Sequence, residues 1–300
     1  MMLVSKTLED QQLSAVSRLF SSGLIRELAR TGRSPLLARL AKESSVLELV
    51  SSDEPVRKLF DSAFSLLKRK NYRHEYIYKA AIAHKVLLGT HSLQTAVMIN
   101  EFRVGKNKAD SVILNGTSTV YEIKSERDTL SRLDQQIASY RKVFAKVNVI
   151  TGENHLESVL SKVPADVGVM YLSDRYQIST IREATNLPER TSSEAVFDAI
   201  QQREAIKILK LYGFEVPNLP NTKMHAALRD QFITLKSTQA HEGMVNVLRS
   251  TRTLLPLSEL IAELPVSLQA AVLSTSVRRQ DYTRLVDAVN TPIEQALKWN

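Results

Sequence analysis

Asp110 and the triplet Glu122-Ile123-Lys124 stand in otherwise uncharged stretches rich in Val, Ile, Leu, Ser and Thr. Isolated carboxylates and an ammonium on strands that read as buried cost free energy unless they are paired or bind something. Two neighbouring carboxylates repel each other unless a cation lies between them. Carboxylate oxygens completed by water suit a hard ion such as Mg²⁺ or Mn²⁺. This chemistry requires Asp110 and Glu122 to be neighbours, and the turn between them decides whether they are. A two-residue loop of Asn115 and Gly116 sets Asp110 against Tyr121, with the two acids on opposite faces. A three-residue loop through Thr117 sets Leu114 against Ser118 and Asp110 against Glu122. The second, with Gly116 in the left-handed region, or an equivalent bulge is expected, because it puts both acids and Lys124 on one face.

Regular elements must hold these residues. AVMINEFRV, ADSVIL and TSTVYEIKS read as three strands, the last two joined as a hairpin at Asn115-Gly116. A long helix, NYRHEYIYKAAIAHKVLLG, precedes them. A further helix, expected over about Glu126 to Lys146 with Ser125 and Asp128 at its start, carries Leu133, Ile137, Tyr140 and Phe144 along one face. VNVITG and VGVMYLS read as strands around the short helix ENHLESVLSKVP, and YQISTIREA as one more strand. Strands rich in Val and Ile on both faces need cover on both, so this order implies an α/β sandwich around a central mixed sheet. Helices are expected before and after it: Ser34 and Pro35 mark a helix start, and five prolines divide the stretch after Ser192. The expected organisation is a helical region 1–70, a sheet domain 71–189 and a helical region 190–300.

Asp110, followed after a hairpin by Glu122-Ile123-Lys124, resembles the D…(D/E)-X-K motif of the PD-(D/E)XK nuclease superfamily. The stretch from Tyr72 through Thr151 is similar to a bacterial and phage branch of it, and the likeness covers about residues 71–173. Gln136 and Tyr140 form a Q-x-x-x-Y pattern like that of exonucleases related to RecB and the lambda exonuclease. Glu75, on the helix before the first strand, sits where resolvase-like members often carry a further metal-associated acid. One departure is that Ala109, rather than proline, precedes Asp110. The resemblance implies an αβββαβ restriction-endonuclease-like core, flanked by the two helical regions, and a Mg²⁺- or Mn²⁺-dependent nuclease acting on DNA. In it Asp110, Glu122 and the carbonyl of Ile123 hold metal, joined by Glu75. Lys124 orients water or neutralises developing charge, while Gln136 and Tyr140 position water, phosphate or carboxylates. Glu101, on the first strand, ranks below Glu75 as third acid because Arg103 or Lys106 explains it as a salt-bridge partner.

Composition narrows the field without choosing within it. The 300 residues carry 43% hydrophobic side chains, no cysteine and a formal charge of +8. Disulfides and thiolate metal sites are therefore excluded, and the excess of positive charge suits a polyanion. Residues 101–150 hold nine Lys or Arg against six Asp or Glu, three of those acids being the candidate carboxylates. The six histidines show no zinc spacing, and no Gly-rich phosphate loop is present. No apolar run is long enough to span a membrane and the first residues lack a signal-peptide core, so a cytoplasmic location is expected. The helical regions are expected to choose the substrate or a protein partner, and the rival to a nuclease is a non-catalytic regulator that keeps the fold and binds nucleic acid or protein. A buried ion-pair network is the structural alternative for Asp110, Glu122 and Lys124.

Overall fold

A computed structural model describes residues 8–300, Asn221 by its backbone only. The chain forms two compact units, one made of residues up to Ala80 with Pro256–Asn300, the other of Ala81–Leu255. Among the described residues no helix is long and apolar enough to cross a membrane.

The second unit is α/β. Its six strands lie in sequence order: β1 (Val97–Val104), β2 (Asn107–Leu114), β3 (Ser118–Lys124), β4 (Lys146–Thr151), β5 (Gly168–Leu172) and β6 (Ile178–Arg182). The pairs β1–β2, β2–β3 and β5–β6 are antiparallel, and β3–β4 and β4–β5 are parallel. Each parallel neighbour needs a crossover, which the helices Leu133–Tyr140 and Leu156–Lys162 supply. All seven residues of β3 are buried, as a central strand covered on both faces requires. Val112, Val120, Val147 and Val149 pack with Leu133, Ile137, Tyr140 and Phe144 in one core, which extends into Ile208 and Leu248 of the later helices Gln202–Leu211 and Ser237–Thr251.

Two long-range ties hold those later helices to the sheet. Glu204 is fully buried and receives two hydrogen bonds of 2.8 Å from the Arg252 guanidinium, which also sits 5.4 Å from the Phe102 ring. His241 Nε2 lies 2.9 Å from Ser118 Oγ, and the same hydroxyl accepts from the Ala145 amide. The helices between Ser193 and Thr251 thus belong with the sheet, whereas the last 45 residues belong with the N-terminal helices.

The helix expected over Glu126 to Lys146 is shorter, Leu133–Tyr140. Asp128 Oδ2 accepts from both the amide and the hydroxyl of Ser125, at 2.8 and 2.5 Å, and the Asp128 amide donates to the Ser125 carbonyl. That local turn competes with helical hydrogen bonding and delays the helix.

The first unit is helical, with Asp10–Arg18, Ser22–Thr31, Pro35–Glu43 and Val56–Leu67 joined by Ser258–Glu263, Val266–Leu273, Tyr282–Asn290 and Ile293–Ala296. Ser34 accepts from the Leu37 amide with Pro35 at the first helical position. Ser21 caps the next helix upstream in the same way, and Gly32, at φ +73°, ends it. The amide of Val56 donates to the Thr291 carbonyl at 2.9 Å and Ser267 Oγ to Asp61 Oδ1 at 2.7 Å, so the helix Val56–Leu67 is stitched to the C-terminal helices of the same unit.

Candidate active site

The hairpin uses the three-residue loop Asn115-Gly116-Thr117. Leu114 pairs with Ser118 and Ser111 with Tyr121, and Gly116 has φ +103°. One step further, this register sets Asp110 across from Glu122. The backbone ladder stops there, and Asp110 Oδ2 takes over by accepting from the Ile123 amide at 2.7 Å. Asp110 is half-buried and Glu122 almost wholly buried, at 1% exposure.

Glu122 and Lys124 alternate with Ile123 and so share a face of β3. The Lys124 ammonium donates to Glu122 Oε1 at 2.8 Å and to Gln136 Oε1 at 2.9 Å. Tyr140 OH donates to Glu122 Oε2 at 2.9 Å and lies 3.1 Å from the Lys108 carbonyl. Gln136 and Tyr140 reach the strand together because they stand one turn apart on the helix that covers it. Four sequence-predicted residues, Glu122, Lys124, Gln136 and Tyr140, therefore form one connected polar cluster. Asp110 enters through β3's own backbone.

Burial pushes the Glu122 carboxyl above the ordinary value, against the charge of Lys124 and the hydrogen bonds of Lys124, Tyr140 and Gln136, which pull it down. Burial likewise drives the Tyr140 phenol far up, reinforced by the negative charges of Glu122 and Asp110, so Tyr140 stays a proton donor.

Glu75 opens the helix Glu75–Ala81, is half-exposed, and forms an ion pair of 2.5 Å with Lys79 one turn on. It belongs to the helical unit. Glu101 stands on β1 opposite Asp110, between the pairs Asn100–Ser111 and Phe102–Ala109. A carboxylate oxygen of each comes within 4.8 Å of the other. Glu101 also bonds Lys108 Nζ at 2.7 Å, not the Arg103 or Lys106 that its sequence position indicated. Its φ of +57° is unusual for a residue with a side chain and costs about 1–3 kcal/mol. Sequence spacing carries no signal for such a kink.

Glu101, Asp110 and Glu122 thus occupy consecutive strands in one cross-strand row. Their donors are all carboxylate oxygens, of which Glu122's two still have acceptor capacity beyond Lys124 and Tyr140. That donor set fits a hard divalent cation.

The sequence pattern of a family described as bacteriophage P4 protein cII matches residues 68–252, a span that contains nearly all of the sheet unit. A curated relative, protein cII of Enterobacteria phage P4, is 38% identical over 80 residues, 26% of this chain and 30% of that protein. The chain thus spans under a third of the length of this relative. A solved structure of a protein of unknown function from Silicibacter pomeroyi aligns over 41% of this chain and 85% of that one at 21% identity, with a TM-score of 0.27, too low to define a common fold.

Proposed function

The chain belongs to the bacteriophage P4 protein cII family, and from the geometry of its sheet unit we propose that this member is a metal-dependent nuclease of the PD-(D/E)XK type that hydrolyses DNA phosphodiester bonds. The carrying observation is the hydrogen-bonded set of Glu122, Lys124, Gln136 and Tyr140 beside Asp110.

In this reading Asp110 and Glu122, with Glu101 next in the row, hold Mg²⁺ or Mn²⁺. When bound, the ion lowers the pKa of a coordinated water and offsets charge on the phosphate. Gln136 and Glu122 hold the Lys124 ammonium between them, so a positive charge is already oriented where negative charge develops. Tyr140 fixes Glu122 Oε2 by donating to it, which keeps that carboxylate from swinging. The Ile123 amide does the same for Asp110 Oδ2. Arg103, Lys106, Lys108, Arg127 and Arg132 are exposed on the same stretch of chain and supply positive charge for a phosphate backbone.

The second reading, a non-catalytic nucleic-acid- or protein-binding regulator with this fold, draws on one observation: both oxygens of Glu122 already have protein partners, as in a purely structural ion pair. The discriminating experiment incubates the full chain with linear, circular and branched DNA, with and without Mg²⁺, beside Glu122→Gln. The nuclease reading expects Mg²⁺-dependent products from the wild type and none from the variant. DNA binding without cleavage, unchanged by Glu122→Gln, favours the regulator.

A further inference from the structure

The helical unit contains a cavity of about 820 Å³ walled on one side by the helix Ser22–Thr31 and on the other by residues 276–284. Arg26 and Arg30, one turn apart, line the first wall, and Arg278 and Arg284 the second. Two acids also line it, and both have partners. Glu27 Oε2 accepts from Ser34 Oγ at 2.8 Å, and Asp281 Oδ1 accepts from Arg284 at 2.5 Å. Arg26 leans on Ser22 of its own helix. Among the described residues Arg30 and Arg278 form no ion pair, and both are exposed.

Four guanidinium groups against two acids, one of them the Asp281 that holds Arg284, leave the cavity net positive, which suits an anion. Arginine's planar fork matches phosphate oxygens two at a time. Gly23 adds an independent observation. It lies in the same helix as Arg26 and Arg30 and lines the cavity, and a Cβ added there would meet nothing within 4 Å. No close packing or left-handed backbone requires a glycine at this position, and glycine is among the poorer helix formers. What its missing side chain leaves is space in the cavity. Ala29, Leu36 and Val277 give the cavity apolar lining suited to the uncharged part of a ligand.

We infer that this cavity is a binding groove for a chain of phosphate groups, gripped from both walls by Arg26 and Arg30 and by Arg278 and Arg284. The inference concerns the helical unit alone and does not depend on the nuclease reading. Two sources share this chemistry, the backbone of single-stranded nucleic acid and the polyphosphate of a nucleotide.

The test uses the full chain in EDTA, so that cleavage cannot intervene, and measures binding of a fluorescent single-stranded DNA oligonucleotide and of inorganic triphosphate. The proteins are wild type, Arg30→Ala/Arg278→Ala, Gly23→Leu and the charge control Arg18→Ala/Arg39→Ala, whose residues do not line the cavity. Losing a charged hydrogen-bond partner weakens binding roughly tenfold per arginine. The groove double variant, missing two arginines, should therefore lose about a hundredfold. For the oligonucleotide, its log–log salt slope should flatten by about 1.4, that is 0.7 for each of two contacts. Gly23→Leu should weaken binding comparably while leaving the unfolding midpoint equal or higher. Binding of the oligonucleotide alone assigns the groove to a nucleic-acid backbone, and equal binding of triphosphate assigns it to a nucleotide's phosphates. No binding of either probe by the wild type, or groove variants indistinguishable from the control, overturns the inference.

Discussion

Lys124→Met removes the cation that pairs with Glu122 while keeping a side chain of similar length. Glu122 is 1% exposed, and its Oε1 has Lys124 as its hydrogen-bond donor. Breaking a buried pair from one side leaves an uncompensated charge and costs about 3–5 kcal/mol. The carboxyl can escape part of that cost by taking a proton, since burial already pushes it up and Lys124 is the strongest group pulling it down. With Lys124 gone, Glu122 in the folded protein holds its proton to higher pH than in the unfolded chain. Between those two values the folded state binds more protons, so the variant loses stability as pH rises, by about 1.4 kcal/mol per pH unit. Urea denaturation of the full chain followed by circular dichroism, at pH 5 and pH 8, reads both effects. The deficit relative to wild type should be large at pH 8 and smaller at pH 5. Adding Glu122→Gln should recover most of it at pH 8, because the amide carries no charge to strand. A deficit below about 1 kcal/mol that is the same at both pH values refutes the reasoning, since a solvated surface pair behaves that way.

Two further predictions concern the packing that holds the sheet unit together. Burial lowers the His241 imidazole from 6.5 to about 4. The unfolded chain therefore takes up the proton first as pH falls, so His241's contribution is complete above about pH 6.5 and is lost progressively towards pH 4. The loss amounts to about 3 kcal/mol. The pH dependence of the urea midpoint should show it, and His241→Gln should remove it. At Gly168 an added Cβ would lie 2.0 Å from Asn148 Oδ1 and 2.8 Å from the Ala184 amide nitrogen. Gly168→Ala should thus destabilise by about 1–3 kcal/mol, whereas Gly168→Ala with Asn148→Ala should recover part of that loss.

The hairpin was legible because two constraints converge on it. Asn115-Gly116 marks a turn, and only a loop extended through Thr117 brings two costly acids together. The Q-x-x-x-Y spacing was legible for a similar reason: residues four apart on a helix share a face, and the observed face covers β3. The start of that helix was not, because Asp128 turns back on Ser125 rather than opening a helical turn there. Nor could local pattern say which unit each C-terminal helix joins. His241 meets Ser118 and Arg252 meets Glu204 through contacts between residues far apart in the chain, and amphipathic periodicity shows that a helix has a buried face without showing what it faces. Glu101 is a third case, since its positive φ beside Asp110 arises from tertiary constraint and leaves no trace in residue type.

The most direct test of the central claim is Mg²⁺-dependent DNA cleavage by Asp110→Asn. The amide oxygen of asparagine can still accept from the Ile123 amide, so the fold and the β2–β3 junction should persist, with an unchanged circular dichroism spectrum. The nuclease account predicts a wild type that cleaves only with Mg²⁺ or Mn²⁺ and a folded variant that does not cleave. Equal cleavage by both proteins, or no metal-dependent cleavage by the wild type on any DNA form, contradicts it.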